Sequence, residues 1–265
     1  MDEFFFAFYL IISGLFGLVV GSFLNVVIYR VPNNMSIAFP ASHCPQCNSK
    51  LKWYHNIPVL SWVFLGGKCD FCKKPIPSRY TLVEILNAVL WILCFLAFGE
   101  ALFTIAAMLF CSLLIAITFI DLEHMIIPDS LNIALAIVGL FAVIFGGNAL
   151  QCVWWERLIG GVGTFILCYL IVIVSEKLLK KEAFGGGDVK MLAAAGLLLG
   201  WKLTLFAFFA AAIMGVLVIG IMMLLKRFDR ENPFPFAPFL ALGMLIAIFA
   251  GNAILGWYFG MFNVM

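Results

Sequence analysis

Residues 4–28 contain neither a charged side chain nor a proline, and seven more apolar runs follow at 82–98, 101–120, 130–145, 158–174, 188–200, 203–225 and 239–259. About 20 apolar residues in a helix cross a bilayer core. Backbone polar groups in hydrocarbon must be satisfied within the segment, which favours helices over open strands. The runs therefore predict an all-α polytopic membrane protein of about eight transmembrane helices. Composition agrees: 65% of the 265 residues are hydrophobic and 11% charged, against roughly 25% charged in soluble domains. The start, Met1-Asp2-Glu3, lacks the basic stretch of a secretory signal peptide, so the first run is expected to remain as a span.

The net charge of +2 is uninformative, but the placement of the basic residues is not. With eight crossings and the N-terminus outside, Arg30, Lys50, Lys52, Lys68, Lys73, Lys74, Arg79, Lys177, Lys180, Lys181, Lys190, Lys226, Arg227 and Arg230 all face the cytoplasm. Only Arg157 and Lys202 fall outside. This asymmetry is what the positive-inside rule requires. If the short run 188–200 did not cross, Lys226, Arg227 and Arg230 would be moved to the wrong side. Trp154, Trp155 and Trp201 then lie at the outer interface, as an aromatic belt does. Three parts are expected: the first transmembrane helix (1–28), a cytoplasmic metal-binding insert (29–81) and a helical bundle (82–265). No feature points to nucleic acid, and the expected surroundings are the lipid bilayer.

The insert carries Cys44-Pro45-Gln46-Cys47 and Cys69-Asp70-Phe71-Cys72, with 21 residues between the pairs. Each pair forms a knuckle that aims two sulfurs at one point, and two knuckles complete a tetrahedral thiolate site for structural zinc. A metal would also organise a segment too polar and short to build much core. A redox dithiol pair, or no metal, are the competing readings. His43 and His55 are alternative ligands, and each also reads as an ordinary loop histidine. Cys94, Cys111, Cys152 and Cys168 lie in or beside apolar runs and read as small hydrophobic residues.

Two carboxylates sit where a membrane protein bears them at a cost. Asp188 follows Gly185-Gly186-Gly187, in the first turn of a helix, where the dipole favours negative charge. Taken alone it is equally a capping residue. Asp121 ends the third run, where the dipole disfavours a carboxylate. Asp129, after Pro128, is placed to cap the fourth helix. Glu123 and His124 read as solvated loop residues. The topology puts Asp121 and Asp188 on the same side. Two close carboxylates resist ionising together and can share a proton: one activates a water, and the other hydrogen-bonds the scissile carbonyl. Gly185, Gly186 and Gly187 would let a substrate backbone lie close. The same pair also suits a cation site in a transporter, and the residues alone leave both readings open.

Several segments resemble the type IV prepilin peptidase family in order along nearly the whole chain. They are Gly21-Ser22-Phe23-Leu24-Asn25-Val26-Val27-Ile28-Tyr29-Arg30, the two cysteine pairs, Asn56-Ile57-Pro58-Val59-Leu60-Ser61-Trp62, Gly67-Lys68-Cys69, Ser78-Arg79-Tyr80 with Glu84, Phe119-Ile120-Asp121, Ile127-Pro128-Asp129 and Gly186-Gly187-Asp188-Val189-Lys190. Read as Gly-x-Gly-Asp, the last motif is Gly185-Gly186-Gly187-Asp188. The resemblance implies a bifunctional GxGD membrane aspartyl peptidase of the bacterial inner membrane with Asp121 and Asp188 as its catalytic pair. It implies prepilin or pseudopilin substrates with a basic leader and an apolar N-terminal helix, cut at the cytoplasmic face. N-methylation of the new amine by S-adenosylmethionine would follow, an activity associated with the insert. Gly67, Lys68 and Glu84 are the candidates for that step. Glu123, Asp129 and Lys190 are expected to support the substrate site. A methyltransferase without peptidase activity would keep the insert and not need Asp188.

Overall fold

Gly14, Gly17 and Gly21 share one face of α1 (Glu3–Arg30), and α3 (Arg79–Phe98) lies against that face. A Cβ on Gly17 would come within 2.7 Å of the Ala88 Cα, and one on Gly21 within 2.7 Å of the Glu84 Cα. Such close backbone approach is how helices associate where lipid removes the hydrophobic drive. Polar bonds reinforce it: Asn87 Nδ2 donates to the Gly17 carbonyl at 2.7 Å, and Asn25 Nδ2 to the Tyr80 carbonyl at 3.0 Å. The outward face of α1, including Phe5, Phe8, Phe16 and Val19, is exposed and fits a lipid surround. The computed structural model describes residues 3–179, 185–225 and 234–262. Phe184 and the basic residues Lys180, Lys181, Lys226, Arg227 and Arg230 lie outside them.

The chain divides into two compact units, Met1–Glu100 and Ala101–Met265. The first holds α1, α3 and the insert between them. Within the insert, α2 (Leu60–Phe64) is the one α-helix. The described residues contain no β-strand, only the isolated bridges His43↔Lys50 and Lys68↔Pro75. Each bridge brackets one cysteine pair. Arg30, buried at the end of α1, donates to the Ser36 and Pro40 carbonyls at 2.9 and 2.7 Å and so fixes the start of the insert.

The second unit holds α4 (Leu102–His124), α5 (Asp129–Phe145), α6 (Trp154–Leu158), a π turn (Ile159–Gly163), α7 (Thr164–Leu179), α8 (Gly186–Leu224), α9 (Ala237–Ile246), a second π turn (Ala247–Gly251) and α10 (Asn252–Phe262). Six helical stretches in the described residues are long and apolar enough to cross a membrane. α5, at 17 residues, is shorter than these, and α8 runs for 39 residues. α8 is not one rod. At Gly200 the backbone takes φ 76 and ψ 167, a conformation open to glycine.

Neighbouring contacts show that the chain reverses there. Gly187 and Leu197 of the first limb (186–199) meet Asn132 and Gly139 of α5, so that limb runs parallel to α5. Gly215 of the second limb (201–224) meets Phe236, Ala207 meets Gly243 and Leu203 meets Gly251, so that limb runs antiparallel to α9. α5 and α9 both start at the Asp121 end of α4. The limbs are therefore antiparallel to each other, and the eight apolar runs each have a helical counterpart.

The reversal is anchored from α6. The Arg157 side chain is fully buried, donates to the carbonyls of Leu198 and Ala149, each at 2.7 Å, and lies 5.1 Å over the Phe103 ring. It satisfies a carbonyl at the end of the first limb, where helical partners run out. The π turn beside it presents Gly160 to Gly196 with no Cβ between the backbones. At Gly200 a Cβ would strike the Cys152 side chain. Gly200→Ala is therefore expected to lose stability by about 1–3 kcal/mol from backbone strain, with the Cys152 clash in addition. Gly220→Ala, with nothing in reach of its Cβ, should not. Thermal unfolding of both variants in detergent checks this.

Candidate active site and metal centre

Asp121 lies in the last turn of α4, and its side chain is buried. The helix ends at Met125, in a left-handed conformation (φ 54), whose N–H reaches the Asp121 carbonyl at 2.9 Å. A carboxylate at its own helix C-terminus is disfavoured, and the structure supplies the compensation from another helix. The N–H of Ala237, first residue of α9, donates to Asp121 Oδ2 at 3.1 Å. Pro238 follows, a residue suited to a helix start because it lacks an N–H. Phe236, the residue before this donor, packs on Gly215 of the second limb of α8, so the reversal at Gly200 helps to place the donor.

Asp188 lies in the first turn of α8, half-buried, with its N–H on the Gly185 carbonyl at 3.0 Å. Gly187, the residue before Asp188, packs on Ile127 in the loop that follows Asp121, so both carboxylates lie on the same side of the unit. Two acidic side chains far apart in sequence thus come to one end of the bundle.

The three glycines differ. A Cβ on Gly185 would lie 2.9 Å from Asp188 Oδ2, one on Gly187 would lie 2.9 Å from the Ile127 Cβ, and one on Gly186 would meet nothing within 4 Å. The Gly-x-Gly-Asp pattern has a physical basis here: the first glycine makes room for the carboxylate, the second lets the helix start approach the α4–α5 loop, and the middle position is open. Gly185→Ala and Gly187→Ala should each impair the site more than Gly186→Ala. Ranking residual activity against thermal stability for the three variants tests the assignment, and equal effects would contradict it.

Asp129 lies in the first turn of α5, one residue inside the Pro128 cap, and makes no capping bond. It instead pairs with Lys190, Nζ to Oδ1 at 2.7 Å, with both side chains largely exposed. Asn132, one turn further along α5, donates from Nδ2 to the Gly187 carbonyl at 3.4 Å. Glu123 and His124 are exposed in the last turn of α4. The Ala237 N–H and Asn132 were not foreseen. A lone amide in an apolar run was the available signal for Asn132, whereas no side-chain pattern marks a backbone N–H.

In the insert the two cysteine pairs adopt one backbone form. The Asn48 N–H reaches the Cys44 carbonyl at 2.8 Å and the Lys73 N–H reaches the Cys69 carbonyl at 2.9 Å. Asn48 and Lys73 both have φ 55, and the Cys44 and Cys69 N–H groups close onto Ser49 and Lys74. The four sulfurs lie within 4.8 Å of one another, with Cys44 and Cys72 at 4.0 Å. In a tetrahedral site with metal–sulfur bonds near 2.3 Å, sulfurs are about 3.8 Å apart, so the donor set fits a tetrahedral cation. Hydrogen bonds to the Ser49 side chain and backbone lower the Cys47 thiol to about 6, and the Cys72 backbone N–H lowers Cys69. Both effects favour the thiolate, the metal-binding form; Cys72, although its bond to the Lys74 backbone lowers it, is pushed up to about 11 by burial and the three neighbouring thiols. His43 contacts the Ala41 carbonyl, and buried His55 lies 3.5 Å from Asp70, so neither joins the cluster.

The three methyltransferase candidates have structural contacts. Gly67 (φ 68) turns beneath the Trp62 ring, which a Cβ would approach to 2.9 Å. Glu84 accepts from the Val59 N–H at 2.7 Å and from Ser22, holding Val59 at the strained φ of 60. Lys68 is exposed. Gly67 and Glu84 thus help to hold the turn before Cys69 and the start of α2.

Two family profiles match the chain: the Bacterial Peptidase A24 N-terminal domain over residues 15–98, and the Type IV leader peptidase family over residues 108–220. Each match lies within one of the two units. A protein of Aeromonas hydrophila named prepilin leader peptidase/N-methyltransferase is 34% identical over 268 residues, covering 92% of this chain and 91% of its own length. Proteins of the same name from Legionella pneumophila and Myxococcus xanthus are 32% and 39% identical. They cover 94% and 82% of this chain, and 94% and 63% of their own lengths. No solved structure matches.

Proposed function

We propose that this chain, which belongs to the type IV leader peptidase family, cleaves the leader from prepilins with Asp121 and Asp188 and then N-methylates the new terminus. The observation that carries the cleavage reading is the convergence of the two aspartates at one end of the second unit, one held by the α9 N–H and the other behind the glycines. We infer the inner membrane as the location, with the N-terminus outside and the site facing the cytoplasm, from the placement of the basic residues. A basic leader suits an acidic site on that face, and an apolar helix beginning at the cut suits a site at the membrane boundary.

The mechanism we assign is general acid–base hydrolysis. Asp121 Oδ2 is engaged by the Ala237 N–H, so its other oxygen is the one free to take a proton from water. The hydroxide formed attacks the scissile carbonyl carbon. Asp188, carrying the shared proton, hydrogen-bonds the carbonyl oxygen as charge develops there. When the C–N bond breaks, the departing amine takes the proton held by Asp121. Glu123 lies at this end and is assigned to the leader-facing field, and the Asp129–Lys190 pair is assigned to the substrate site beside it.

S-adenosylmethionine supplies the methyl group in the second activity. Gly67 and Glu84 are assigned to holding the insert's shape, and no methyl-transfer step is routed through them or Lys68. The four cysteines are assigned a structural zinc ion, which organises the insert in place of a core.

Asp121→Asn and Asp188→Asn are each expected to abolish leader cleavage while the protein still inserts and unfolds near the wild-type temperature. The check is mass analysis of a prepilin incubated with detergent-solubilised enzyme and labelled S-adenosylmethionine. Wild-type cleavage by either variant would sink the mechanism. For the insert, the purified protein should hold one zinc per chain, and Cys44→Ser or Cys69→Ser should lose the metal and lower the unfolding temperature. Metal analysis alongside thermal scans decides this, and a metal-free wild type would overturn it.

A further inference from the structure

The second unit contains a cavity of about 480 Å³ between α5, the π turn with α7, and the first limb of α8. Its walls include Ala136, Val162, Phe165 and Leu197, and the Asp129–Lys190 pair stands at its edge. Val162 and Phe165 are also exposed on the outside of the unit, so the cavity is reached from the side, where a membrane partner would lie. The volume is in the range of sites that take a few side chains rather than a whole helix.

One polar group in this apolar wall is unused. Asn132 is 5% exposed, and its Nδ2 is spent on the Gly187 carbonyl, but its Oδ1 is buried with no hydrogen-bond partner. An acceptor buried without a donor is costly. A lipid acyl chain brings no donor. The first turn of a helix does, because its leading N–H groups have no partner within the helix. The cavity also adjoins the aspartate site, since the carbonyl that Asn132 holds belongs to the residue just before Asp188.

We propose that this cavity seats the first turn of the substrate's apolar helix, with Phe165 and Leu197 receiving its side chains and the Asn132 amide, closed off in the free protein, opening so that Oδ1 accepts a backbone N–H. The proposal rests on the prepilin-cleavage reading and names where the enzyme grips the part of the substrate beyond the cut. The salt-bridged rim, neutral as a pair, lets an apolar segment enter without stranding a charge. Asn132 is then a positioning residue: it fixes the Gly187 carbonyl on one side and the substrate backbone on the other.

The test compares two substrates, a full-length prepilin in detergent and a peptide that ends shortly after the cut. In Ala136→Phe the added ring fills the cavity. The ratio of kcat/KM for prepilin to that for peptide should fall about tenfold or more, the loss expected when one apolar side chain is shut out. The change should lie mainly in KM. A ratio equal to the wild type's would overturn the proposal, and an overall loss of folding cancels in the ratio. If Ala136→Phe cleaves neither substrate, a photo-reactive residue at Val162 decides. Crosslinks to the prepilin's apolar segment support the assignment, and crosslinks to lipid alone overturn it. A wild-type protein that cleaves neither substrate would instead remove the underlying function.

Discussion

The reversal at Gly200 is the constraint on which the rest of the second unit depends. A helix that continued straight past residue 199 would carry residues 201–224 away from the Asp121 end of the bundle. The turn brings them back, so that Phe236 and Ala237 arrive where Asp121 needs a donor. Its cost is concentrated in one glycine, and its compensation is spread over Arg157, the Gly160–Gly196 contact and Thr204, whose hydroxyl donates to the Gly200 carbonyl at 2.7 Å. Burying a guanidinium is expensive unless its donors are used. Here the two terminal nitrogens serve carbonyls that the reversal and the neighbouring loop leave open, while Nε stays buried without a partner.

The parts of the molecule legible in the sequence are those whose causes are local. Apolar runs of membrane length need no tertiary information, so the helices were readable. The run 188–200 was short by length and supported only by charge. Its continuity with the next helix comes from a single backbone conformation that no residue pattern other than a glycine announces. The cysteine spacing was readable because two-residue knuckles are local. Each knuckle closes through hydrogen bonds within six residues, with one left-handed residue. Glu84 was less legible. A carboxylate just inside a span reads as function, and what it does in the first unit is to hold the Val59 N–H.

Asp121 and Asp129 carry the clearest lesson. By chain position, Asp129 reads as a cap and Asp121 as an acid at the wrong end of a helix. Asp129 makes no cap bond and pairs across to Lys190, sixty-one residues away. Asp121 does sit at the wrong end of α4, but it sits at the right end of α9. Local sequence fixes a residue's place on its own helix, and the neighbour that decides its energetics is set by packing.

Both carboxylates therefore face the N-terminal end of a helix, Asp188 at the start of its own and Asp121 at the start of another. Helix N-termini offer free N–H groups and positive potential, which helps a membrane protein to keep two acids together. The glycines complete the arrangement from the other side. Gly185 leaves room for the Asp188 oxygen, Gly187 lets the helix start close on Ile127, and Asn132 ties that start to α5. The geometry around Asp188 is thus held by backbone and small contacts. Small residues and backbone at this point suit a site that must admit a peptide backbone.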